Sequence, residues 1–238
     1  MGNTRRTWIA IPLLGIVAVT VDARDQAHCE GLEPGSLPSD FLETCRPEPI
    51  GAIEKDAVLQ SLPPEGEVRM LTSAERRKVS AIGTVLRRHA RVGVYEVKVI
   101  DVPQAWTGMH GRAVLLISRP ALDLLAVEEI QALAAHEAGH EYVWEEFARA
   151  RDQGDEATLR RLELLCDTIA AATLQSIGVP AQRLISATEK AFRYNRERFG
   201  TALNAGAYPA LAERRHVVER VMSQGHRVPA TASRAAIR

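Results

Sequence analysis

Residues 132–144 read ALAAHEAGHEYVW. Two histidines and a glutamate fall within five positions of an otherwise apolar run. Each residue of an α-helix turns by about 100°, so His136 and His140 lie about 40° apart, one turn above the other. Glu137 falls about 100° from His136, on the same side. This spacing lets two imidazoles hold one metal ion while the carboxylate takes a proton from a water at the ion's open position. Neutral imidazole suits zinc. A catalytic zinc site uses three protein ligands, keeps one position for water and lowers that water's pKa to near neutrality. The wider stretch LDLLAVEEIQALAAHEAGHEYV reads as helix throughout, and Gly139 is small where a close backbone approach is wanted. The five-residue motif also arises by chance in unrelated helices, so a third ligand is needed.

The stretch ELLCD, residues 163–167, supplies candidates. Glu163 and Asp167 stand at i and i+4 on one face of an otherwise apolar helix. Carboxylates on such a face are costly to bury unless something pairs with them. A metal and a ligand histidine would satisfy both: Glu163 as the oxygen ligand, Asp167 as the acceptor that orients an imidazole. The alternative is an ion-paired couple with Arg160 and Arg161. Cys166 is a rival ligand through its thiolate, although a free cysteine on an apolar helix is more often a small core residue.

The rest of the chain sets the context. Its 238 residues suffice for one domain with a real core, and 30 basic residues balance 30 acidic ones. No net field draws in nucleic acid or an anionic membrane. At residues 1–23, Arg5 and Arg6 precede an apolar run from Trp8 to Val21, and small or branched residues follow at Val21 and Ala23. This reads as a cleaved export signal, because the run is shorter than the roughly 20 residues of a membrane span. The expected location is periplasmic or secreted; an N-terminal membrane anchor is the alternative. Cys29 and Cys45 either close a small disulfide ring in an oxidising compartment or stay as two thiols.

Residues 24–66 are rich in Pro and Gly and read as an irregular lead-in with little core of its own. The main domain is placed at 67–224, and 225–238 reads as a disordered tail. Thr72 or Ser73 can cap a helix carrying Val79, Ile82, Val85 and Leu86. Residues 94–101 alternate as a half-buried strand, and 112–118 form an apolar run of strand length. A long helical region is expected over 120–150, then helices ending at Gly178 and near residue 200, and a last one from Pro209. The expected fold is α+β and zincin-like, mainly helical with a small sheet beside the HExxH helix. His28, His89, His110, His216 and His226 lack a partner at metal spacing and read as surface or hydrogen-bonded histidines. The charge runs at 75–78 and 213–216 read as solvated faces, apart from Arg214.

Several segments in order resemble the zinc metallopeptidases that include the CAAX prenyl endopeptidase, the HtpX heat-shock protease and soluble periplasmic relatives. VPQAWTG, residues 102–108, is similar to that family's Pro-Asn-Ala-Phe-Ala-x-Gly segment. RAVLLISRPALDLLAVEEIQALAAHEAGHEYV is similar to its strand and HExxH helix, and ELLCD to its Glu-x-x-x-Asp element. YPALAERRHVVERV is similar to its late His-Pro-x-x-x-x-Arg segment. The resemblance spans roughly residues 72–222. It implies zinc, one ion per chain, held by His136, His140 and Glu163, with Glu137 as general base and acid and Asp167 behind a ligand. It places Arg214 near the active site, and Gln104 and Ala105 on the substrate side. Gln104 stands where the family has Asn, and Tyr208 where it has His. Tyr208 is either a replacement donor to the transition-state oxygen or a partly buried aromatic.

The expected function is zinc-dependent hydrolysis of peptide bonds in exported or envelope polypeptides, with Tyr208 or Arg214 aiding the oxyanion. An edge strand near 112–118 would hold an extended peptide by strand addition. The alternative is a weak or inactive exported zinc protein that serves as a binding or chaperone-like module. A helical scaffold with no metal is a third reading. Neither nucleic acid nor a membrane span in the mature chain is expected.

Overall fold

The structure, a computed structural model, describes residues 32–62, 66–68, 70–200 and 208–225. The export signal, Cys29, His28, His226 and the tail beyond Gly225 lie outside the described residues. The architecture is α+β: helices packed around a three-stranded mixed sheet. No helix among the described residues is long and apolar enough to cross a membrane.

Helix α3 (Ser73–Arg88) starts at a capping box: Thr72 Oγ1 accepts from the Glu75 amide at 3.2 Å, and Glu75 accepts from the Thr72 amide at 2.6 Å. Glu75 also pairs with Arg119 at 3.1 Å and is buried. The run 75–78 is therefore not a plain solvated face. Its apolar stripe, Ile82, Val85 and Leu86, enters the main core.

Strands β1 (Glu96–Ile100), β2 (Thr107–His110) and β3 (Val114–Ser118) stand in the order β1-β3-β2. β1 runs parallel to β3, with Glu96 opposite Val114, and β2 runs antiparallel, with Thr107 opposite Ile117. The expected edge strand is thus the central one. Both faces of this strand are largely buried, and the apolar VLLIS suits that. The open edge beside the helices is β2, joined to β3 by a tight turn in which Gly111 and Arg112 have φ of 56° and 55°. Ser118 ties three elements together. Its amide donates to the Trp106 carbonyl at 2.9 Å. Its hydroxyl accepts from the amides of Trp106 at 2.8 Å and Ala121 at 3.3 Å, the latter starting α4 (Arg119–Leu124).

The region 120–150 divides into α4, α5 (Val127–Tyr142) and α6 (Trp144–Gln153), the last closed by Gly154 in the left-handed conformation at φ 67°. Helix α5 is buried nearly all round, between α3, the sheet, α7 (Glu156–Ser176) and α8 (Gln182–Phe199). Its run of alanines and one glycine fits this: only small side chains let so many neighbours approach. Helix α9 (Leu211–Gly225) packs on α7 and α8.

The lead-in has more structure than its composition implies. Helices α1 (Phe41–Thr44) and α2 (Ala52–Ser61) lie within it, and Phe41 and Leu42 are buried in a second core cluster with Leu162, Leu165 and Ile169. The Gly35 amide donates to Thr168 Oγ1 at 2.8 Å, and Cys45 is disulfide-bonded.

Candidate metal centre

Helices α5 and α7 cross at Gly139. A Cβ there would lie 3.1 Å from the backbone of Cys166, so any larger residue would push the two helices apart by a few tenths of an ångström. The close crossing brings His136 and His140 against Glu163. The possible ligand atoms of these three residues all lie within 4.8 Å of one another, and the group can hold a metal ion. His136 Nε2 is 3.3 Å from Glu163 Oε2, and His140 Nε2 is 3.8 Å from Glu163 Oε1. Donors around one zinc at its usual bond lengths stand roughly 3.3 Å apart in a tetrahedron. The donor set therefore fits a single ion.

The two imidazoles are held differently. His136 Nδ1 bonds Asp167 Oδ1 at 2.8 Å, which assigns Nδ1–H as the donor and leaves Nε2 facing Glu163. The His140 ring is set edge-on between the His136 and Phe147 rings, with centroids at 5.0 and 4.9 Å. Arg214 comes in from α9, donating to Asp167 Oδ1 at 2.8 Å and to Glu163 Oε2 at 3.1 Å. Arg160 and Arg161, the partners weighed for this pair, instead bond Glu213 and Glu146. Cys166 stays out of the group: it is fully buried in the second core cluster, and burial pushes its thiol well above the usual range.

Charge at the centre is unbalanced. Glu137, Glu163 and Asp167 are buried against one guanidinium, Arg214. Burial opposes charge on His136, but its bonds to Asp167 and Glu163 outweigh this and raise the imidazole to about 10. Burial lowers the His140 imidazole. Burial also opposes charge on Glu163, yet the His136 bond and the neighbouring positive charges bring its carboxyl down to about 2. Burial works against Arg214, and Asp167 and Glu163 raise it regardless. A divalent cation would complete a cluster that, by itself, recruits a proton.

Glu137 lies beside the ligands, with Oε1 accepting from the Thr107 hydroxyl at 2.8 Å. Tyr208 is 41% exposed, and burial together with the charges of Glu163 and Glu137 raises its phenol. Arg214 is buried, and its two terminal nitrogens donate to Asp167 and Glu163. Ala105 is buried, and Asn195 bonds both its amide (2.8 Å) and its carbonyl (2.9 Å). Gln104 beside it is half-buried.

Sequence reasoning missed Thr107, Phe147 and Asn195. Asn195 sits in the charged run RYNRERF, where nothing local marks it. Thr107 starts a four-residue strand containing Gly108, too short to show alternation. Of the other histidines, His89 bonds Tyr142 and Thr173 at 2.9 and 3.0 Å, His110 bonds Ser61 at 2.9 Å, and His216 is exposed. Comparison with protein-family models gives no match, and no curated protein matches the chain.

Proposed function

We propose that this chain is a zinc-dependent endopeptidase of the HExxH…ExxxD kind, allied to the family its motifs resemble, acting on exported or envelope polypeptides. The observation that carries this reading is the convergence of His136, His140 and Glu163 with Glu137 beside them. A structural zinc site closes with four protein ligands and has no use for a base, whereas two imidazoles and one carboxylate are a set found in catalytic sites. When bound, zinc would supply Lewis acidity to a water and to the scissile carbonyl.

The chain's own residues account for the rest. The Ser118–Trp106 bond sets the phase of the β2–β3 ladder, and alternation then turns the backbone groups of Thr107 and Met109 toward the open edge. An extended peptide can pair there. Glu137 takes a proton from the attacking water and passes it to the departing amine nitrogen. Tyr208, whose raised phenol keeps its proton at neutral pH, is the donor to the developing oxyanion. Asp167 holds His136 by Nδ1–H, and Arg214 holds Glu163 and Asp167 in register.

The deciding experiment compares wild type with Glu137→Gln on an unfolded protein substrate, with zinc measured in both. About one zinc per chain should remain in each, while cleavage falls ~10²–10⁴-fold in the variant. Equal cleavage in both would end the peptidase reading. Zinc without cleavage in either protein would favour the binding module. Less than about half an equivalent of zinc in wild type would remove the metal.

A further inference from the structure

We infer that Thr107 is a positioning residue for the Glu137 carboxylate, and that its hydroxyl decides which carboxylate oxygen handles the proton. The inference rests on the peptidase reading and adds a residue to it. Thr107 Oγ1 donates to Glu137 Oε1 at 2.8 Å, across from edge strand to metal-site helix. Oε2 has no hydrogen-bond partner among the described residues. One oxygen is therefore tied to the scaffold and the other is left for a water.

The scaffold behind the hydroxyl is itself held. Asn195 takes both backbone groups of Ala105. Ser118 takes both backbone groups of Trp106. The two residues before Thr107 are thus pinned from α8 and from β3, and a β-branched side chain is stiff at χ1. A carboxylate on a helix otherwise swings about its last torsion, which is broad and roughly two-fold. The Thr107 bond removes that freedom. It also puts base and substrate on one residue, because the Thr107 amide and carbonyl face the edge where the peptide pairs. A hydroxyl is both donor and acceptor, so the bond survives when Glu137 becomes a carboxylic acid during the reaction.

A bond that only fastened the strand would change stability. A positioning bond changes turnover at unchanged binding. The test uses the full, zinc-loaded chain as wild type, Thr107→Val and Thr107→Ser. Valine keeps the shape and loses the hydroxyl; serine keeps the hydroxyl. The expected result is kcat about tenfold lower or more for Thr107→Val. KM should stay within about twofold, zinc content should be equal, and Thr107→Ser should restore kcat to within about threefold. Unchanged kcat in Thr107→Val, or a loss as large in Thr107→Ser, would overturn the inference. If wild type binds zinc but cleaves nothing, the peptidase reading fails first. Crystal structures of wild type and Thr107→Val then decide the point without turnover. A displaced or doubled Glu137 carboxylate supports the positioning bond, and an unmoved one refutes it.

Discussion

Helix α5 carries two buried charge clusters, one turn apart, built on opposite rules. At Glu141 the carboxylate meets Arg91 Nε at 2.8 Å and Arg112 at 3.5 Å. Those arginines also donate to the backbone carbonyls of Pro47 and Glu48 in the lead-in. The cluster is a clasp closed by protein groups, with cations in excess of the carboxylate. At His136, Glu137 and His140 the balance is reversed: carboxylates exceed guanidinium, and the donors face a common point. Burying charge is costly in both places. One site meets the cost with fixed partners and so holds the chain together; the other gathers donors that can hold an ion.

The comparison can be broken at the clasp first. Glu141→Ala leaves Arg91 buried without its carboxylate and should destabilise the fold by about 3–5 kcal/mol in urea titrations. It should leave zinc stoichiometry unchanged in whatever fraction stays folded. A loss below about 1 kcal/mol would mean that the clasp fastens nothing. The metal side should respond in the other currency. Asp167→Ala removes the acceptor that orients His136 and should weaken zinc binding about 10–100-fold in competition with a chelator. If affinity were unchanged, the His136–Asp167 bond would be incidental.

The smallest expected effect is a pH dependence at His89. His89 is buried against Tyr142 and Thr173, with Arg88, Arg91 and Arg46 nearby. Burial first, and those three charges next, lower its imidazole to about 3. The unfolded chain binds this proton near pH 6.5 and the folded chain does not. The contribution to stability is therefore complete above about 6.5 and is lost as pH falls toward 3. His89→Gln should flatten the fall in the urea midpoint between about pH 6.5 and pH 5. An unchanged slope would assign the acid sensitivity to other groups.

The same two regions show what the sequence reveals and what it withholds. The candidate metal group is legible because its signals are local. HExxH is an i, i+4 pattern, and Glu163 and Asp167 stand out as an i, i+4 carboxylate pair on an apolar helix. Gly139 is legible too, as a small residue at a close crossing, and Cys166 proves to be what it crosses. The clasp is invisible because its parts lie far apart in sequence and half of it is backbone carbonyl. Composition likewise hides the buried Phe41 and Leu42 among prolines and glycines. The strand at 114–118 is a middle case. Its length and hydrophobicity announce a strand, and its position between β1 and β2 depends on pairing that its own residues do not encode. Thr107 and Asn195 act through tertiary contacts alone, which no periodicity encodes.

The clasp has one more consequence. At Pro47 and Glu48 it grips main-chain oxygens, which every residue presents alike. The path of that segment is therefore constrained while the chemical identity of its side chains is nearly free. Exposed Glu48 can be exchanged for other polar residues at little cost, whereas lengthening the segment by even one residue would pull its carbonyls out of reach of Arg91 and Arg112. That part of the molecule should tolerate substitution and resist insertion.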